Sequence, residues 1–306
     1  MKKIIPIILL ASLLLTLFGC SAKKESSSAT AATEPSTDAQ ETVAATMESK
    51  ADSAASGYTT REIYCDNGEG KIYGVAYIAD ESRKTPLVIL SHGLSANHNS
   101  LVLYAETLAE NGYSAYVFDF PNGSNPSLSN KSGTETTKMS VMTEAEALKA
   151  VVKAAKNWEF ADSEKIFLLG ESQGGLVSSI VACDEPENVA GLMLLYPAFN
   201  IPQEIRQSYE TLDDVPETYN FNGWIEVGKV YAEDVWDLDI YDKLSRYNGR
   251  VLIVHGDSDS IVDVSYAERA AETLPDCELH IIKGSDHGFR GDAFNEAVRY
   301  ILEYLS

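Results

Sequence analysis

The chain has 306 residues, 44% of them apolar, and sets 46 Asp and Glu against 24 Lys and Arg. That composition excludes collagen, coiled-coil and wholly disordered classes and is enough for one sizeable core. A formal charge of −22 repels phosphate backbones, and with no basic patch to offset it, nucleic acid is not an expected partner.

Met1-Lys2-Lys3 precedes a mostly apolar run from Ile4 to Phe18 and then Gly19-Cys20. This charged, apolar and small-residue order predicts an export signal over residues 1–19, too short for a spanning helix, which needs about 20 apolar positions. The stretch Leu17-Phe18-Gly19-Cys20 resembles the bacterial lipobox, although Phe18 is bulkier than that position usually carries. The resemblance implies that Cys20 is lipidated and that the protein is exported and lipid-anchored at the bacterial cell surface or envelope, meeting membrane through that lipid only. Residues 20–57 are dominated by Ser, Ala and Thr and hold no aromatic ring. They read as a disordered tether with a span of roughly 35 Å. Cys65, Cys183 and Cys277 have no zinc-ligand spacing and read as small buried apolar residues.

Over 58–306, β-rich runs alternate with helical stretches, the pattern of strands joined by crossover helices. Strands are predicted at Arg61–Cys65, Lys71–Ile78, Leu87–Ser91, Ala115–Phe120, Lys165–Leu169, Ala190–Tyr196, Val251–His255 and Glu278–Ile282. Runs such as Leu87-Val88-Ile89-Leu90 suit parallel strands buried on both faces. Met139–Trp158 places Met142, Ala145, Leu148, Val151, Val152, Ala155 and Trp158 along one helical face. Shorter helices are expected at Leu101–Glu110, Gly174–Cys183, Ser265–Thr273 and Ala293–Leu305, giving an open, mostly parallel sheet with helices on both faces.

Across residues 199–248 the alternation lapses, and a stretch of that length reads as an inserted cap. It carries 11 acidic and 4 basic residues, with rings at Tyr209, Tyr219, Phe221, Trp224, Tyr231, Trp236, Tyr241 and Tyr247. Some of these rings are expected to line an apolar acyl or aryl pocket and the rest to form the cap's own core, while the acids repel anionic substrates.

Gly170-Glu171-Ser172-Gln173-Gly174-Gly175 falls where a strand gives way to a helix, the context in which Gly-x-Ser-x-Gly presents a serine oxygen at a sharp turn. A serine hydroxyl needs a base to become a nucleophile, and the base needs an orienting carboxylate. Of five histidines, His287 lies in a loop just after the last predicted strand and is the candidate base. His92 and His255 end strands beside glycines, His98 sits in an Asn-rich turn, and His280 is within a strand. Asp257, Asp259 and Asp263 compete for the acid. Asp257 suits a turn and Asp263 a helix cap, and Asp259 is chosen for the Ser…Asp…His order. The backbone amides of Leu94 and Gln173 are the candidate oxyanion donors.

His92-Gly93, Gly170-x-Ser172-x-Gly174, Gly256-x-x-Asp259-x-x-Val262 and Asp286-His287-Gly288-Phe289 together resemble the α/β-hydrolase superfamily over most of Tyr58–Ser306. The Gly-x-Ser-Gln-Gly-Gly elbow and Leu195-Tyr196-Pro197-Ala198-Phe199 are most similar to bacterial carboxylesterases near the cinnamoyl and feruloyl esterases. The resemblance implies an α/β-hydrolase fold with an eight-stranded sheet and a small cap. It also implies cleavage of carboxylic esters, short-chain acyl or hydroxycinnamoyl, through an acyl-enzyme on Ser172, with neither metal nor organic cofactor and a small-molecule ester as partner. Two alternatives stand beside it: a prolyl or aminopeptidase-like serine peptidase, with Glu171 or the cap acids anchoring an amine, and a lipoprotein that keeps the fold as a binding module.

Overall fold

The computed structural model describes residues 57–306. The expected export signal, Cys20 and, apart from Gly57, the tether lie outside the described residues. In chain order come β1 (Thr59–Asp66), β2 (Lys71–Ile78), β3 (Thr85–Ser91), α1 (Val102–Glu110), β4 (Ser114–Phe118), α2 (Val141–Ala155), β5 (Ala161–Glu171), α3 (Gln173–Asp184) and β6 (Gly191–Leu195). There follow α4 (Ile201–Ser208), β7 (Thr218–Phe221), β8 (Ile225–Gly228), α5 (Lys229–Val235), α6 (Ile240–Leu244), β9 (Val251–Gly256), α7 (Ser265–Thr273), β10 (Cys277–Ile282) and α8 (Asp292–Leu305).

The main sheet is ordered β1-β2-β4-β3-β5-β6-β9-β10. β2 runs antiparallel to both its neighbours and the remaining pairs are parallel. Its central strands are apolar on both sides because both sides are covered. Leu87 and Ile89 of β3 face the core under α2, α3 and α7, whereas Val88 and Leu90 face the one under α1 and α8. Ser140 starts α2 through a capping box with Thr143, and Ala145, Leu148, Val151, Val152 and Ala155 form the buried stripe. Met142 and Trp158, expected on that stripe, are only partly buried, and Trp158 lies past the helix end.

The eight strands read from the sequence are those of the main sheet, to within a few residues at each end. The hairpin β7–β8 was not foreseen, nor were α4, α5 and α6 between β6 and β9. Its signal is the Asn222-Gly223 pair, where both residues have positive φ, 53° and 76°. Strands of only four residues were too short to show alternation. Among the described residues no helix is long and apolar enough to cross a membrane.

The start of α3 is pressed against the ends of β3 and β5. A Cβ on Gly174 would sit 2.2 Å from the Ser91 carbonyl oxygen, and one on Gly170 would sit 2.2 Å from the Gly174 carbonyl oxygen. Backbone cannot yield as a flexible side chain does, so Gly174→Ala is expected to cost about 1–3 kcal/mol. Thermal denaturation checks this as a Tm lowered by roughly 3–10 °C; an unchanged Tm would show that the junction has slack.

Candidate active site

Ser172 is the one residue between β5 and α3, and its backbone takes φ 51° and ψ −121°. Few residues with a Cβ adopt such angles, so the turn must be held from outside. The Ser172 N–H donates to the Leu195 carbonyl at 3.0 Å, and the Ser172 carbonyl accepts from the amides of Gly175 and Ala198 at 3.0 and 2.9 Å. Gly93 lies flush against the serine, since a Cβ there would come within 3.1 Å of the Ser172 Cβ.

Parallel strands deliver the partners to this same sheet edge. His287 follows β10, and its Nε2 lies 3.0 Å from Ser172 Oγ while its Nδ1 lies 2.8 Å from Asp259 Oδ2. A carboxylate only accepts, so Nδ1 carries the hydrogen and Nε2 is left to accept from the serine. Asp259 follows β9, and its Oδ1 accepts from the amides of Ile261 and Val262 at 2.9 and 2.8 Å. Burial pushes the Asp259 carboxyl up, but hydrogen bonds from His255, His287 and these two amides outweigh it and hold the group well below the usual carboxylate range. It is ionised throughout the neutral range.

The other two aspartates of the β9 loop do what short acids in turns do. Asp257 accepts from the Gly284 amide at 2.6 Å, and Asp263 from the Ser265 amide at 2.9 Å at the start of α7. Asp286, next to His287 in sequence, joins the two loops: its Oδ1 accepts from Ser260 N, Ser260 Oγ and His287 N. Tyr196 packs edge-on against the His287 ring at 4.6 Å, and its hydroxyl donates to Glu171 Oε2 at 2.9 Å. Ser100 Oγ donates to the other Glu171 oxygen at 2.7 Å, so Glu171 faces protein partners rather than the cleft at Ser172.

Leu94 and Gln173 both border that cleft. Gln173 is the first residue of α3, and its N–H has no intrahelical partner. Among the described residues the Leu94 amide has no backbone acceptor. Behind Leu94, His92 is a structural residue: its Nδ1–H donates to the Gly93 carbonyl at 2.8 Å, and its Nε2 accepts from the Phe120 amide at 3.1 Å. Burial lowers its pKa and keeps the ring neutral.

The cleft is small, about 20 Å³, and is also lined by Ala198, Asn200, Ile201, Glu204, Phe221, Asn222, Trp224, Ile261 and Val262. Of the eight rings named from the sequence, Phe221 and Trp224 reach it, and the others do not. Tyr231, Tyr241 and Tyr247 are buried in the core, and Tyr209 packs on Tyr219. Three polar residues were missed. Half-buried Glu204 accepts from Asn200 Nδ2 at 2.7 Å and Asn222 Nδ2 at 3.1 Å, and the buried Asn200 Oδ1 has no partner. No sequence motif marks them, because α4 and the hairpin bring them together only in three dimensions.

The sheet order, the elbow and the loops after β9 and β10 fix the architecture. This is the α/β-hydrolase fold. A family model described as "Serine aminopeptidase, S33" matches residues 82–225. The chain is 28% identical over 164 residues to a proline iminopeptidase of Thermoplasma volcanium, covering 51% of this chain and 50% of that one. A proline iminopeptidase of Lactobacillus helveticus is 29% identical over 133 residues, covering 41% and 42%. The chain thus spans half or less of the length of these curated relatives. Among solved structures, Est1E of Butyrivibrio proteoclasticus with ferulic acid bound is similar at a TM-score of 0.70 and 26% identity, over 79% of this chain and 98% of that one. A monoacylglycerol lipase of Paleococcus ferrophilus shares the fold at a TM-score of 0.57 and 20% identity, over 76% and 98%.

Beneath the elbow the Gln173 side chain is itself buried and held from two sides. Its Nε2 donates to Glu144 Oε2 at 2.8 Å, and its Oε1 accepts from the Tyr231 hydroxyl at 2.6 Å. Burial raises the Glu144 pKa from 4.5 to about 8 against only a modest opposing pull from the Gln173 bond, so at neutral pH the acid is mostly protonated. The unfolded chain loses this proton near 4.5 and the folded chain near 8, so between those values the folded state binds more protons and stability falls as pH rises. Glu144→Gln keeps an acceptor for Gln173 and removes the titration. Its Tm relative to the parent is expected to rise between about pH 5 and 8 and then level off, by a free energy on the order of a few kcal/mol. A difference that stays flat with pH would place the Glu144 pKa near its ordinary value.

Proposed function

We propose that the protein is a serine hydrolase that cleaves carboxylic esters through an acyl-enzyme on Ser172. The observation that carries this reading is the unbroken hydrogen-bonded series Ser172 Oγ, His287 Nε2, His287 Nδ1 and Asp259 Oδ2. As Oγ attacks the ester carbonyl, its proton passes to Nε2, and ionised Asp259 stabilises the imidazolium that forms. The amides of Leu94 and Gln173 hold the oxyanion. The proton on Nε2 leaves with the alcohol, and water repeats the sequence to release the acid. The partner is a small-molecule ester. Residues 1–19 export the chain, and lipid on Cys20 anchors it at the bacterial envelope, with residues 20–57 holding the hydrolase domain, 58–306, away from the membrane.

Glu204 supports a hydroxycinnamoyl or related hydroxylated acyl group. It is a half-buried acceptor at the cleft, hydrogen-bonded by two neutral amides and in no ion pair among the described residues. A phenolic hydroxyl donates to such a carboxylate, and the ferulic acid bound to Est1E has that chemistry. The same feature favours a second reading, the peptidase, because a substrate ammonium is also a donor that Glu204 can take. The match to the serine aminopeptidase model is in keeping with it.

Assay of p-nitrophenyl acyl esters, methyl hydroxycinnamates and aminoacyl p-nitroanilides by residues 58–306, beside Ser172→Ala, separates these readings. Ester turnover abolished by Ser172→Ala supports the esterase; turnover confined to the anilides supports the peptidase; turnover that survives the substitution removes Ser172 from the chemistry. Within the esterase reading, Glu204→Gln is expected to reduce kcat/KM for methyl ferulate roughly tenfold, as for loss of a hydrogen bond to a charged group. The same change should leave methyl 3,4-dimethoxycinnamate, which has no donor there, within about twofold. Equal losses on both substrates would count against a Glu204 contact with the phenol.

A further inference from the structure

A second imidazole touches the acid that orients His287. His255, the penultimate residue of β9, is wholly buried. Its Nε2 lies 3.2 Å from Asp259 Oδ2 and 2.9 Å from the Val262 carbonyl oxygen. The Val262 carbonyl only accepts, so Nε2 bears the hydrogen, and the Asp259 carboxylate lies beside that N–H within ion-pair distance. On its far side the buried Nδ1 has no partner.

His92, the other buried histidine, is held differently. That histidine has both ring nitrogens matched to backbone groups, which is how a buried polar side chain normally rests in a core. His255 leaves one nitrogen unmatched and sets the other against a carboxylate whose side chain is fully buried. A residue retained only to fill space would do better as an apolar side chain.

We propose that His255 is a positioning residue for the reaction at Ser172: its Nε2–H fixes the Asp259 carboxylate facing His287 and takes up part of the charge on Oδ2. The inference rests on the serine-hydrolase reading above. Oδ1 is pinned by two backbone amides, and both imidazoles lie against Oδ2, His287 Nδ1 at 2.8 Å and the buried His255 Nε2 at 3.2 Å. Without His255, the full charge of Oδ2 falls on the Nδ1–H of His287. The imidazolium is then held more tightly, and with Asp259 less firmly fixed the ring is aimed less well at Ser172 Oγ, which slows attack whatever the leaving group. The other titratable groups facing the cluster are Asp263 and Asp286 from the flanking loops and Tyr196 at the end of β6, with Glu171 behind it. None of them changes in the variants below.

The test uses a fluorophosphonate probe, which labels an activated serine whatever its natural substrate, with the rate followed against pH, together with kcat and KM for p-nitrophenyl acetate. His255→Phe keeps a ring and removes the donor; His255→Gln returns an amide N–H close to the Nε2 position. For His255→Phe the labelling rate and kcat are expected to fall at least tenfold with KM within about threefold. The acidic limb of the profile should move up by roughly half a unit to one unit, the size expected when a hydrogen bond to a charged group is lost. His255→Gln should recover most of the rate and return the limb. If the Phe variant does not fold by circular dichroism, His255→Asn, too short to reach Oδ2, takes its place with the same expectations. Folded variants that label at the parent rate with the limb unmoved overturn the proposal. So does a Gln variant as slow as the Phe variant, which would make His255 a packing residue. A parent protein that is not labelled above the Ser172→Ala blank overturns the serine-hydrolase reading and this inference with it, whereas a labelled parent with unaffected His255 variants overturns this inference alone.

Discussion

Everything at the site depends on the backbone of one residue held where it would not rest alone. Ser172 sits in a region of φ and ψ that costs on the order of 1–3 kcal/mol, and such strain persists only when the surroundings over-determine it. Here the Leu195 carbonyl, the Gly175 and Ala198 amides and the flush contact with Gly93 do so. The turn follows the buried Leu168-Leu169-Gly170 end of β5 and begins a helix buried along nearly its whole length, so the sheet core and the elbow stand or fall together. Gly170 and Gly174 are each required by a backbone atom that occupies the space a Cβ would need, and Gly93 and Gly175 would set a Cβ tightly against the side chains of Ser172 and Pro197.

Two buried carboxyls near this turn behave in opposite ways, and hydrogen bonding rather than overall charge decides which is which. Asp259 receives four donors and stays ionised, whereas Glu144 receives a single neutral donor and is driven to its protonated form. The formal charge of −22 sets the far field of the protein and says nothing about either group. Local donors within about 3 Å matter more than dozens of screened surface acids.

The architecture could be read from the chain because two-faced apolar strands and amphipathic helices leave plain periodicities, and because the elbow concentrates its demands in six consecutive residues, 170–175. The partners of Ser172 could be picked out for a similar reason: each lies just past a recognisable strand end. Other features had no such trace. His255 looked like a strand terminus beside a glycine, and only the folded turn brings its ring to Asp259. Asn200, Glu204 and Asn222 come from a helix and a hairpin with no fixed spacing in sequence. The aromatic content of 199–248 suggested more pocket-lining rings than the two that reach the cleft, since a small insertion needs most of its rings for its own interior.

The hydroxyl of Tyr231 also constrains how a substrate can enter. It joins α5 to the Gln173 side chain where both residues are fully buried, so that breaking the hydrogen bond strands two polar groups. Hinging α5 away as a rigid flap would therefore tear at the very residue that follows Ser172. The more exposed edge of the cleft is the β7–β8 tip, whose Trp224 is 41% exposed and is linked to the neighbouring loop by an Asn125 side-chain bond to its carbonyl. With room for about one water molecule beside Ser172, any larger group that reaches the serine must displace side chains of that tip rather than of α5.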